Sequence, residues 1–192
     1  MSSNEIQQLA HLMRRAGFGA TQQELEEYAA IGYEASVEKL LDTATPTAIS
    51  EYFLRRYHPD ETSLLGGTSG AAAWLYRMVT TDTPLLEKMA LFWHGIFATG
   101  YPKVLNAKPL SDQIRMFKRY AMGDLKTLLI QMAKDPAMII WLDNQQNHKE
   151  AINENFGREL LELFSMGTGN YTEDDVKECA RAFTGWTIGN CE

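Results

Sequence analysis

The sequence predicts an all-α fold, a bundle-like globular domain of about ten or eleven helices. Three observations lead there. Helix-start signals recur from one end of the chain to the other, and apolar residues between them repeat at three- and four-residue spacing. No sustained alternation of β-branched residues accompanies them. Hydrophobic residues make up 45% of the 192, enough for a real core and too many for a disordered chain.

The elements follow in order. A first helix is expected over 4–15. Thr21 with Glu24 forms a capping box for 21–31, which stops at Gly32. The stretch YEASVEKLLD carries 33–42, and further helices are expected over 47–56 and 70–81. Thr83 followed by Pro84 reads as an N-cap with proline at the first helical position, opening 84–98. A helix over 109–121 precedes Gly123 and Asp124, which start 124–134. Asp135 with Pro136 repeats the cap-and-proline device for 136–142. The last two helices are expected over 153–166 and 173–185. Thr172 with Asp175 caps the second of these, and Gly185 closes it.

The organisation divides into an N-terminal helical subunit (1–57), a flexible glycine- and serine-containing link (58–70) and a main helical part (71–192). The segment DNQQNHKEAINEN (143–155) reads as a polar loop, and a loop of that length inside a compact domain is often functional or mobile. The chain stops soon after Gly185 and the large Trp186, so it reads as the front part of a longer domain.

The net charge of −7 argues against a general nucleic-acid binder. A local basic stretch, Lys103, Lys108, Arg115, Lys118 and Arg119, lies among acidic segments and reads as a solvated face. No segment has the roughly 18 uncharged apolar residues of a membrane span. The first twenty residues lack the apolar core of a signal peptide, and no hydrophobic run follows the Arg14–Arg15 pair, which leaves the cytoplasm as the default compartment. Cys179 and Cys191 form neither a zinc knuckle nor a disulfide framework, and Cys179 reads as a small core residue within a helix.

Two helices carry the candidate chemistry. In PLLEKMALFWHGIF (84–97), Leu85, Leu86, Met89, Phe92, Trp93, Ile96 and Phe97 sweep a wide apolar arc, so the helix is expected to be mostly buried. Glu87 and His94 share the narrower remaining face, within about 20° of each other and about 10.5 Å apart along the axis. A buried Glu and His need partners, because an isolated charge is costly there. That spacing is wide for joint chelation, since helical metal pairs usually sit three or four residues apart. In INENFGRELLELF (152–164), Glu154–Arg158 and Arg158–Glu162 are spaced as solvated i, i+4 pairs. Asn153 reads as an N-cap. Glu159 borders the apolar face beside Leu163, where a carboxylate is partly desolvated and its pKa rises. Asn155 lies on the same side. The stretch SMGTGNYTEDD lacks a phosphate-loop or calcium-loop pattern, and no Gly-x-Ser-x-Gly elbow is present.

Five stretches occur in order: HLMRRAGFGAT, EKMALFWHGIFATG, DPAMIIWLDN, NENFGRELLELFSMGTGNYTEDDV and CARAFTGW. Together they resemble the bacterial domain of unknown function 1800 family, over nearly the whole chain. The resemblance implies a largely helical protein, usually longer than this chain, often encoded beside an exported sulfatase-like companion. It brings no established reaction. Two positions depart from the family pattern: Ile96 stands where a second His is common, and Gly157 where Ala is usual. The matching positions include His94, Asn153, Glu154, Asn155 and Glu159.

Two functions are therefore expected. The first is an enzyme domain with a polar pocket between helices 84–98 and 153–166. Glu159 and His94 would be its catalytic groups, and Glu87, His94 and Glu159 its ligands for a divalent metal. Loop 143–155 would border its entrance, and Asn153 and Asn155 are further candidates. The second is a helical scaffold that binds a partner protein, the sulfatase-like companion, without catalysis.

Overall fold

The computed structural model describes residues 3–43, 56 and 69–189. Among them are eleven α-helices and no β-strand, as the sequence predicts. In chain order they are α1 Ser3–Ala16, α2 Gln22–Ile31, α3 Tyr33–Leu41, α4 Ser69–Thr80, α5 Pro84–Ile96, α6 Tyr101–Val104, α7 Ala107–Tyr120, α8 Leu125–Ala133, α9 Pro136–Trp141, α10 Asn155–Glu162 and α11 Glu173–Ala182. A 3-10 turn, Asn144–Gln146, follows α9. The helix expected over 47–56, apart from Arg56, and most of the link at 58–70 lie outside the described residues.

Most caps form as their local sequence dictates. Thr21 and Glu24 close a reciprocal box at the start of α2, and Thr172 and Asp175 do so at α11. The Asp124 and Asp135 side chains accept the Thr127 and Met138 N–H groups that open α8 and α9. Thr83 departs from expectation: its side chain makes no capping bond and instead meets the Thr81 hydroxyl at 3.3 Å. Helix α6 was not expected. It is a single turn with proline in its first positions, too short to show periodicity.

The main core gathers Trp74, Ala90, Phe97, Phe117, Leu128, Met132, Met138, Leu142 and Phe156 from α4, α5, α7, α8, α9 and α10. Phe97 is fully buried at its centre, stacked on Phe117 at 6.1 Å and met edge-on by Phe164 at 4.9 Å. Burying one such ring is worth about 1.5–3 kcal/mol. Leu9, Met13, Leu25 and Leu40 form a smaller core that joins α1, α2 and α3 and reaches Leu85 of α5. The two cores thus share α5. No described helix is long and apolar enough to cross a membrane.

Candidate functional site

Helix α5 turns a different face inward than the count of its apolar residues suggests. Leu86, Glu87 and Ala90 are buried, whereas Phe92 and Ile96 are 52% and 37% exposed. The carboxylate of Glu87 is therefore in the core, and two neighbouring helices supply its partners. The Trp74 indole N–H from α4 donates to Glu87 Oε2 at 2.9 Å. Lys118 from α7 forms an ion pair with Oε1. The sequence groups Lys118 with a solvated basic face, but its side chain is 19% exposed and that of Glu87 is 6%.

His94 lies two turns further along α5. Its ring stands edge-on to Trp74 (centroids 5.4 Å apart) and to Phe117 (6.1 Å). Nδ1 is buried and has no hydrogen-bond partner. Burial alone holds the imidazole below its ordinary pKa, because the charged form would lose its hydration. The ring is thus neutral at neutral pH. Trp74 touches both Glu87 and His94.

Glu159 sits apart. It is half-buried, and burial raises its carboxyl pKa, as its place at the edge of the apolar face predicts. Glu162 raises it further and Arg158 opposes the shift. Arg158 pairs with Glu154 at 3.2 Å, as expected, but its fork then grips Glu173 of α11 at 2.9 and 2.7 Å. Glu162 accepts the Tyr171 hydroxyl at 2.6 Å, so the expected Arg158–Glu162 pair is replaced by contacts that tie α10 to the segment leading into α11. Gly157 explains how closely these helices approach: a Cβ there would lie 2.9 Å from the Ala180 nitrogen and 3.1 Å from its Cα.

The amides around 143–155 form a buried network. The Asn147 side chain is fully buried; it donates to the Ala180 carbonyl at 2.7 Å and to Asn144 Oδ1 at 3.2 Å, and accepts the Asn153 N–H at 3.0 Å. The Asn147 carbonyl accepts the Gly185 N–H at 3.2 Å. Asn153 Oδ1 accepts the Asn155 N–H at 3.0 Å, which supplies the cap at the start of α10 that Glu154 does not. Asn155 Nδ2 donates to the Leu142 carbonyl at 3.1 Å. Asn153 and Asn155, the further candidates from the sequence, thus spend their side-chain bonds on the backbone at the start of α10 and the end of α9.

Sequence reasoning missed a second buried polar group. Asp135 is 6% exposed; its Oδ1 accepts from Gln113 Nε2 at 2.7 Å as well as capping α9. Gln113 Oε1 in turn accepts from the Thr99 hydroxyl at 2.6 Å. Burial pushes the Asp135 pKa up to about 6 in spite of these bonds. Only its capping role was legible, because Gln113 is distant in sequence. Lys103 and Lys108 of the basic stretch pair with Asp143 and Asp112, and Arg115 also pairs with Asp112. Cys179 is half-buried, and burial raises its thiol pKa.

Glu87 and His94 thus share Trp74 as a neighbour, and Glu159 interacts with Arg158 and Glu162. Among the described residues no three His, Cys, Asp or Glu side chains are gathered so as to hold a metal ion. Glu87 is already balanced by Lys118, so Glu87, His94 and Glu159 do not fit a divalent metal as a set.

The ordered motifs that hold this core also match a family model, described as "Protein of unknown function (DUF1800)", over residues 11–191. The chain belongs to this family. The match to the DUF1800 chain runs from the last turns of α1 through α11. No curated protein matches the chain, and no solved structure does.

Proposed function

We propose that this DUF1800 chain carries the acid–base group of an enzyme, and that the group is His94. The observation that carries the reading is the buried Nδ1 of His94, which has no partner, beside the Trp74 ring that also bonds Glu87. Buried polar atoms are nearly always satisfied, and an exception calls for an explanation such as a role in catalysis. A neutral imidazole can accept a proton from a bound substrate. The buried Glu87–Lys118 pair costs desolvation that an apolar pair would avoid, which further favours a functional reason for it. Trp74 would position both groups. Hydrolysis and oxidation both employ such a base. Glu159 stands in this reading as a separate, half-desolvated carboxylate.

The test is turnover of hydrolysable and oxidisable substrate panels by the wild-type protein and by His94→Gln. The reading expects turnover in the wild type and a fall of about 100-fold or more in the variant, with the fold retained. Absence of turnover in the wild type, or equal turnover in both proteins, contradicts it.

A specific observation also favours partner binding. Leu75 and Val79, one turn apart on α4, are 62% and 77% exposed, and Phe92 and Ile96 repeat that spacing on α5. Such stripes serve as anchors in helix-mediated docking. The sulfatase-like companion implied by the family resemblance is the partner to test. Capture of that companion by the wild type and not by Val79→Glu supports docking, and failure of two folded proteins to associate counts against it.

A further inference from the structure

We propose that the groove between α1 and α3 binds an uncharged saccharide. The groove has a volume of about 500 Å³ and is lined by Asn4, Gln7, Gln8 and His11 from α1 and by Tyr33 and Glu34 from α3. That volume lies within the range of small-ligand sites.

The four α1 residues fall at i, i+3, i+4 and i+7, so they form one continuous stripe on the helix. It carries three carboxamides and an imidazole, with no lysine, arginine or carboxylate among them. None of the six lining side chains makes a hydrogen bond or ion pair among the described residues. Their donors and acceptors are therefore free for a ligand. Leu9, Met13 and Leu40 pack behind the stripe and hold α1 against α3, so the walls are set by the smaller core.

The lining decides the ligand class. A carboxamide both donates and accepts, which matches the paired donor and acceptor character of neighbouring hydroxyl groups. The ring of Tyr33, 43% exposed, offers an apolar face to the C–H side of a sugar ring. The lone charge, Glu34, disfavours anions, and no cationic side chain is present to hold a phosphate. With no aliphatic side chain on the wall, an apolar ligand gains little. The site is distinct from His94, so its success or failure leaves the acid–base reading untouched.

The experiment follows the side-chain NH2 resonances of the wild-type protein by NMR while maltose, cellobiose and diacetylchitobiose are titrated in turn. Saturable shifts of the Asn4, Gln7 and Gln8 resonances are expected with at least one sugar. Gln7→Ala combined with Tyr33→Ala should weaken that sugar at least about tenfold while the unfolding temperature stays the same. Both positions are exposed and outside the core, so the variant folds. Absence of any shift with all three sugars, or unchanged affinity in the folded variant, overturns the proposal.

Discussion

The Trp74 indole N–H donates to Glu87 at 2.9 Å, and the same ring meets His94 edge-on. One aromatic side chain from α4 therefore organises both ionisable groups on the inner face of α5. Lys118 completes the arrangement from α7.

Removing Lys118 should expose the cost of that burial. Lys118→Met leaves the Glu87 carboxylate in the core with only the indole donor. Breaking one side of a buried pair costs about 3–5 kcal/mol, and the partial exposure of Lys118 places the expectation near the lower end. The double variant Glu87→Leu/Lys118→Met should recover most of the loss. Denaturant titration of the three proteins measures both effects, and additive losses would contradict the account.

Gly157→Ala should destabilise the protein although alanine is the better helix former. The helix propensity gain is about 1 kcal/mol. Against it, the new Cβ would press on the backbone nitrogen and Cα of Ala180, which cannot rotate away as a side chain would. Overpacking of this kind costs about 1–3 kcal/mol, so a net loss of about 1 kcal/mol is expected. Adding Ala180→Gly should restore little, because the nearest contacts are with the main chain. A stability gain in thermal unfolding would refute this.

Asp135 sets a pH dependence of known sign. Its folded pKa of about 6 lies above the ordinary 3.8, so the folded state binds this proton more tightly than the unfolded state. The resulting stabilisation is full below pH 3.8 and is lost as the pH rises through about 6. Its size is on the order of 2–3 kcal/mol. Asp135→Asn retains an oxygen to cap α9 but has no proton to exchange. The stability difference, wild type minus variant, should therefore fall between about pH 4 and 6 and be flat above that. A flat difference throughout would contradict it.

Asn147→Ala should loosen the junction of α10 and α11. It leaves the partly buried Asn153 N–H without a partner and removes one of the two donors to the Ala180 carbonyl, which keeps the Phe183 N–H at 3.1 Å. The unsatisfied N–H costs about 1–3 kcal/mol. Amide exchange should speed up at Asn153 and at Gly185, whose N–H bonds to the Asn147 carbonyl. Unchanged protection at both amides would show that the network carries no weight.

What was legible in the sequence was mostly local. A cap and its acceptor lie three residues apart, so Thr21 with Glu24, Asp124, Asp135, and Thr172 with Asp175 announce their helices. The family was legible because its motifs occur in order. The inward face of α5 was not. A count of apolar residues places Phe92 and Ile96 inside, whereas the actual face depends on Trp74 and Lys118 in other helices. The buried bonding of the amide loop was not legible for a similar reason. The acceptor of Asn147 is at Ala180, and no local pattern shows that a polar run will meet a helix end. Glu159 was legible as a desolvated carboxylate.

The most direct test of the account is the protonation of His94. The nitrogen-15 shifts of its imidazole, followed from about pH 5 to 8, report it without a substrate. The account predicts a ring that is neutral at neutral pH and takes up its proton below the ordinary 6.5. Stability from this group should then be present above pH 6.5 and lost as the pH falls through the lower folded value. A His94 that is charged at neutral pH, or that titrates at or above 6.5, would contradict the claim that a buried neutral base stands beside Trp74 and Glu87.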